Sequence, residues 1–356
     1  MALELRDVSL RVGGETFIHP TTLRIEAGGF NILLGATGAG KSTLIRLMSG
    51  LEAPSAGAIL VDGRDVTGVS PQRRNISLVH QFFVNYGHMT VFDNIASPLR
   101  VGGVPKSEIA GRVEAAADML KLRPMLKRRP QELSGGQQQR TALARAIVKE
   151  STAIFLDEPL ANLDYKLREE LREQLPELLA GRGTVVVYAT SEPTEALLLG
   201  GRTALVHEGR VTQFGPTAEI YRQPETLTSA RVFSDPPINV APATKSGGRI
   251  ALPGANWPAA GPAEDLADGD YMLAVRPHNV TPTPPGGHSV PLSGTVRITE
   301  LTGSESIAHF EVGDRLWVSQ SAGVHPYRIG EAHEFHLLSD RCFFFAADGR
   351  LAAGHG

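Results

Sequence analysis

Gly35-Ala36-Thr37-Gly38-Ala39-Gly40-Lys41-Ser42 fits the spacing G-x4-G-K-S/T. Glycines let a loop wrap tightly, so that successive backbone N–H groups face phosphate oxygens at a helix N-terminus. In such a loop Lys41 bridges the outer phosphates and Ser42 ligates Mg²⁺, with nucleotide contacts running from Gly35 to Thr43. Further on, Asp157-Glu158 ends the apolar run Ala153-Ile154-Phe155-Leu156. A carboxylate there can hold Mg²⁺, and the next one can polarise the water that attacks a terminal phosphate. Between the two lies Leu133-Ser134-Gly135-Gly136-Gln137. Small residues with free N–H groups at a helix start make a second anion site. Taken singly, a glycine turn, two acids after a strand or a capped helix is commonplace; their order along one chain is not.

These residues need rigid elements behind them. Leu3, Leu5 and Val8, then Leu23 and Ile25, alternate between the turns Gly13-Gly14 and Gly28-Gly29, which predicts antiparallel strands. Phe30–Leu34, Ala153–Leu156 and Thr184–Tyr188 read as buried strands. A helix is expected from Lys41 to about Met48, stopped by Gly50. Ile109, Val113, Ala117 and Leu120, and later Leu143, Ala146 and Ile147, recur at helical spacing. Strands alternating with helices imply an α/β layer with a parallel sheet. Asp235-Pro236-Pro237 through Pro242 reads as a boundary. Short strands are expected beyond it at Met272–Val275, Val296–Leu301, Ile307–Phe310 and Leu316–Val318, separated by Pro/Gly clusters such as Thr281 to Gly287. The expected domains are therefore 1–235 and an all-β 236–356.

With 356 residues and a net charge of −3, the chain has ordinary globular composition and no general attraction to nucleic acid or anionic lipid. Its single Cys342 excludes an intrachain disulfide. The N-terminus lacks the pattern of a secretory signal, and no apolar run is long enough to span a bilayer. A membrane role would have to come through a partner.

The order of motifs resembles the ATP-binding cassette family, the ATPase subunits that drive membrane transport, across residues 1–235. Val79-His80-Gln81 is similar to the family's Q-loop, whose Gln touches Mg²⁺ and reports to the membrane partner. Ala161-Asn162-Leu163-Asp164 is similar to its D-loop at the dimer seam. Residues 236–356 resemble the regulatory β domain of the carbohydrate-import subclass, in which Ala274-Val275-Arg276-Pro277 is familiar. The segments Met89–Arg100 and Thr190–Gly201 are similar to one ATP-binding subunit of glycerol importers. The resemblance implies a phosphate-loop α/β cassette. It has an antiparallel β subdomain, a RecA-like parallel core and a helical subdomain at about 88–150, with an OB/TOBE-like all-β domain after them.

For function the resemblance implies an ATP-hydrolysing subunit of an importer for a polyol or sugar, glycerol first among them. ATP and Mg²⁺ are its ligands. Ser42, Gln81 and Asp157 would hold the metal, and Glu158, Gln81 and Ser191 would be the catalytic group. The nucleotide contacts would be Gly35–Thr43, Ser134, Gly135, Gly136, Gln137, Asp164 and Phe17. Implied partners are a second ATP-binding subunit in a heterodimer, two transmembrane permease subunits and, indirectly, a periplasmic or lipoprotein substrate-binding protein. Nucleic acid is not implied. The place is peripheral, on the cytoplasmic face of the inner membrane. Phe82, Phe83 and Tyr86 read equally as a pocket for a coupling helix of the permease or as core packing.

Two departures stand out. The family places a His after the last core strand, where it contacts the γ-phosphate and the attacking water. Here Ser191 holds that position, a change worth about 10²–10⁴ in rate. His207 lies in an expected surface hairpin and is no substitute. The adenine-stacking aromatic is also missing: Val12 holds its place, with Phe17 nearby. The alternative reading is thus a regulatory subunit that lends its LSGGQ segment to a catalytic partner and hydrolyses little itself. Cassette proteins of translation or DNA repair fit less well, because they carry two fused cassettes or long coiled coils.

Overall fold

The N-terminal alternation builds an antiparallel layer. β1 (Ala2–Val12) and β2 (Glu15–Glu26) pair with Leu3 opposite Ile25 and Leu5 opposite Leu23, all four buried. Gly13 and Gly14 turn the chain at positive φ, which glycine adopts without a Cβ clash. β3 (Phe30–Leu34) is buried throughout, as a strand inside a parallel sheet must be. α1 (Lys41–Ser49) ends at Gly50, whose left-handed backbone (φ 78°) caps it. The Arg74 guanidinium donates to the carbonyls of Leu47 and Met48 at this helix end, where a cation is favoured, and to Val66 and Val69.

β4 (Ala56–Val61) and β5 (Arg64–Asp65) complete a four-stranded sheet of order β2-β1-β4-β5. After β6 (Ile76–Val79) the chain turns helical: α2 (Val91–Val101), α3 (Lys106–Met119) and α4 (Gly135–Ile147). Strand and helix then alternate through β7 (Ala153–Asp157), α5 (Tyr165–Leu179), β8 (Val185–Thr190), α6 (Pro193–Leu199), β9 (Arg202–His207) and β10 (Arg210–Pro216). The second sheet has the order β10-β9-β3-β8-β7-β6 and is parallel except for the β9–β10 hairpin. Leu3, Leu5, Ile45, Met48, Phe155 and Val187 belong to one core shared by both sheets and α1. Each such side chain contributes about 1.5–3 kcal/mol. The ends of β3, β6, β7 and β8 lie along one edge, the usual place for a ligand in such a sheet.

The computed structural model describes residues 1–82, 84–161, 163–179, 183–285 and 289–355. Phe83, Asn162, Gly286 and Gly287, which figure in the sequence reading, lie outside them. Among the described residues no helix is long and apolar enough to cross a membrane.

The chain divides into two compact units, Met1–Thr217 and Ala218–Gly356. α7 (Thr217–Arg222) and α8 (Leu227–Val232) lead into the second unit. Ala230 packs with Ile238, Ala274, Phe343 and Phe345. The buried Arg276 guanidinium sits 3.6 Å above the Tyr221 ring and donates to the Tyr221 carbonyl at 2.5 Å. The rest is antiparallel β. β11 (Asn239–Ser246), β12 (Arg249–Leu252), β13 (Ala255–Pro258) and β14 (Gly269–Val275) lead into β15 (Val280–Thr281), β16 (Ser289–Leu301), β17 (Glu305–Val312) and β18 (Arg315–Ala322). β19 (Ala332–Leu338), β20 (Phe343–Phe345) and β21 (Leu351–Ala353) end the unit. Two sheets, β13-β12-β11-β14-β20-β21 and β15-β19-β16-β17-β18, enclose a core containing Leu273, Phe310, Trp317 and Phe335.

Candidate nucleotide site

The loop after β3 has little room for side chains. A Cβ on Gly35 would lie 2.2 Å from the Val206 carbonyl oxygen, and Gly40 takes φ 109° just before α1. Ala36, Thr37 and Gly38 are exposed, whereas Lys41 is 4% exposed. Lys41 Nζ donates to the carbonyls of Gly35 (2.8 Å) and Ala36 (3.1 Å) and lies 3.1 Å from Glu158 Oε1. The ammonium is therefore held inside the loop, where phosphates would meet it.

The acidic pair reaches the same place from β7. Ser42 Oγ donates to Asp157 Oδ1 at 2.9 Å. Burial pushes the Asp157 carboxyl up, opposed by the Ser42 hydrogen bond and by the charges of His80 and Lys41. Glu158 stands at φ 46°, a region uncommon for non-glycine residues, and its N–H donates to the Ala189 carbonyl at 3.0 Å. Its other oxygen accepts from Gln81 Nε2 at 3.0 Å. Lys41, Ser42, Gln81, Asp157 and Glu158 thus converge from three strand ends.

The Leu133–Gln137 segment opens α4. Ser134 is the N-cap: its Oγ accepts from Gln137 N–H, while Gln137 Oε1 accepts from Ser134 N–H. This reciprocal cap leaves the turn exposed and pre-shaped. Gly135 faces open space; a Cβ on Gly136 would lie 2.4 Å from Leu167 Cδ2 and 3.3 Å from Leu163 Cδ2. Asp164 accepts from Leu167 N–H (3.0 Å) at the head of α5, so the two predicted loops meet through Leu163 and Leu167. Among the described residues no hydrogen bond joins Ser134–Gln137 to Gly35–Thr43. Ser134→Ala should cost about 1 kcal/mol of stability, measurable by thermal unfolding.

Ser191 is exposed just beyond β8. Its neighbour Thr190 is more deeply engaged. The Thr190 carbonyl accepts from Gly35 N–H at 3.4 Å, and its Oγ1 donates to Glu195 at 2.6 Å. Tyr188 donates to the same Glu195 oxygen at 3.0 Å. Burial raises the Glu195 carboxyl, while these two hydrogen bonds draw it back. Sequence reading missed Glu195 because nothing local marks a carboxylate that works from beneath a strand. It also missed the backbone of the β9–β10 tip. His207 is exposed, as expected, but Gly209 N–H donates to the Ala39 carbonyl at 2.8 Å and its carbonyl accepts from His19 N–H at 2.9 Å. The hairpin buttresses the phosphate loop. Phe17 and Val12 are 49% and 52% exposed, and the Phe17 backbone packs on that same Gly209.

Phe82 is 74% exposed, so it is not core; its ring stacks on His80 at 5.8 Å. Tyr86 lies under the Arg145 guanidinium (4.7 Å) in a cleft of about 440 Å³ that includes Pro98 and Val101.

A parallel sheet whose strand ends carry a phosphate loop, a serine–aspartate pair and a second carboxylate defines a phosphate-loop nucleotide-hydrolysing protein. The sequence matches the ABC transporter family over residues 18–161 and the TOBE domain over 273–345. It is 37% identical over 305 residues to the sn-glycerol-3-phosphate import ATP-binding protein UgpC of Paracoccus denitrificans (86% of this chain, 85% of the relative). It is 38% identical over 364 residues to UgpC of Burkholderia ambifaria (99% of each). Among solved structures, an ATP-binding subunit of an ABC transporter aligns with TM-score 0.57 at 25% identity, covering 62% of this chain and 92% of that one. The dimeric ATP-binding cassette MJ0796 in a post-hydrolysis state with ADP and Pi aligns at 0.55 and 27%, covering 60% and 98%. The chain belongs to the ABC transporter family, as an ATP-binding subunit that hydrolyses ATP.

Proposed function

We propose that this chain powers import of glycerol, its phosphate or a related polyol or sugar, as one of two cassettes beneath a pair of transmembrane permease subunits. A substrate-binding protein delivers to the permeases, and this chain sits on the cytoplasmic face of the membrane. The substrate assignment is supported by the relatives' role in sn-glycerol-3-phosphate import and by the glycerol-importer likeness of residues 89–100 and 190–201. The observation that carries the catalytic reading is Glu158, held between Lys41 and Gln81 beside the Ser42–Asp157 pair. In this reading residues 1–235 are the cassette and 236–356 a regulatory or dimerisation domain.

The oxygen donors of Ser42 and Asp157 suit Mg²⁺, a hard cation, and a cation there would offset the buried carboxylate. Ser42, Asp157 and Gln81 would hold the ion, whose chemistry is neutralisation of phosphate charge. Lys41 exchanges the Gly35 and Ala36 carbonyls for phosphate oxygens, and the amides of Gly35–Thr43 line the remainder. Glu158, freed from Lys41, accepts a hydrogen bond from the attacking water, with Gln81 fixing its orientation. Phe17 is the aromatic that supports adenine. Ser134–Gln137 and Asp164 belong to the dimer seam, where they meet a nucleotide bound by the partner cassette.

That partner is a different ATP-binding subunit, because Ser191 makes this chain's own site slow. Ser191→His should raise turnover of the purified complex about tenfold or more. Unchanged turnover would remove the slow-site reading.

A further inference from the structure

Position 191 offers no imidazole, but the sheet supplies one from another strand. β6 and β7 run parallel in register, with Val79 opposite Leu156. β6 ends at Val79; extending its register past that end would set His80 opposite Asp157 and Gln81 opposite Glu158. Side chains at matched positions of neighbouring strands leave the sheet on the same face. His80 therefore emerges on the face from which Asp157 reaches Ser42. Two observations agree with this placement. Gln81 Nε2 meets Glu158 at 3.0 Å, which agrees with that extension. His80 also lies close enough to Asp157 to influence its carboxyl electrostatically.

The ring is oriented. Its Nδ1 accepts from Phe82 N–H at 3.4 Å, and the ring stacks on Phe82 with 27° between planes. With Nδ1 accepting, a neutral imidazole carries its proton on Nε2. His80 is exposed, and among the described residues its Nε2 makes no hydrogen bond. A fixed N–H donor beside the acidic pair is suited to a terminal phosphate oxygen, where preorganised donors are worth most.

We propose that His80 is a substrate-contacting residue of this chain's own ATP site, its Nε2–H donating to a γ-phosphate oxygen in place of the imidazole missing at 191. This rests on the slow-site reading above and deepens it. Ser191 leaves both the γ-phosphate and the attacking water without an imidazole, and His80 restores the phosphate contact alone. The site then holds ATP firmly while turning it over slowly.

The test is equilibrium binding of fluorescent ATP and ADP analogues to the purified full-length chain. His80→Ala should weaken ATP binding about tenfold to a hundredfold, the worth of a hydrogen bond to a charged group, and leave ADP binding unchanged. His80→Gln, which keeps an N–H donor, should recover part of the loss, and Ser191→His added to His80→Ala should recover most of it. Equal weakening for ATP and ADP would mean a merely structural role and overturn the proposal, as would no weakening of either. Failure of the parent chain to bind any nucleotide would instead count against the nucleotide-site reading itself.

Discussion

Glu158→Gln should leave ATP binding in place and lower hydrolysis at this chain's site at least a hundredfold, the lower bound for loss of a positioned base being about 10². The substitution is nearly isosteric, so the fold around β7 has no cavity to close. The amide oxygen can still accept from Gln81, which now meets Glu158 Oε2 at 3.0 Å. Two things are lost: the negative charge that pairs with Lys41 at 3.1 Å, and the capacity to draw a proton from water. Binding should hold or tighten, since Lys41 no longer has a competing carboxylate. Single-turnover hydrolysis and nucleotide affinity, measured on the same complex, separate the two effects. Turnover within a few-fold of the parent would exclude Glu158 as the base. The transport assay adds a second answer: arrest means this site must fire, and continued uptake means the partner site drives the cycle.

Gly209→Ala should be nearly as damaging, although Gly209 belongs to no recognised motif. Its φ is 71°, and a Cβ there would stand 2.1 Å from the Phe17 carbonyl oxygen. That neighbour is backbone, so it cannot swing aside as a side chain would. The clash must move the β9–β10 tip, whose Gly209 N–H holds the Ala39 carbonyl of the phosphate loop. A loss of about 3 kcal/mol is expected, or roughly 6–12 °C in melting temperature, with weakened nucleotide binding. Gly63→Ala is the control. It has the same backbone handedness (φ 76°) with nothing within 4 Å of the added methyl. It should cost only about 1 kcal/mol, and affinity should not change. Equal effects of the two substitutions would show that backbone strain alone, not the buttress, accounts for Gly209.

What could be read directly were the features whose physics is local. The phosphate loop needs glycines and a lysine at set offsets before a helix, and it lies where Phe30–Leu34 hands over to Lys41–Ser49. The strand ending in Asp157-Glu158 and the cap of Ser134 with Gln137 are likewise properties of a few adjacent residues. The shared edge of β3, β6, β7 and β8 could be expected in outline, since alternation of strand and helix implies a parallel sheet. The strands of the second unit were legible, but the helices that pack with them were not. The prolines at 236 and 237 look like a linker, whereas the packing of Ala230 on Phe343 and Phe345 depends on residues more than a hundred positions apart.

The motif set, a glycine-rich loop with Lys41 and Ser42 and two carboxylates at the end of a strand, was thus determined by sequence alone, because each part is formed by neighbours in the chain. Tertiary structure alone decided what holds those parts in place. Gly209 under Ala39, Glu195 beneath Thr190 and Gln81 beside Glu158 are joined by strand order and register, which bring distant segments into contact and leave no short-range pattern to read.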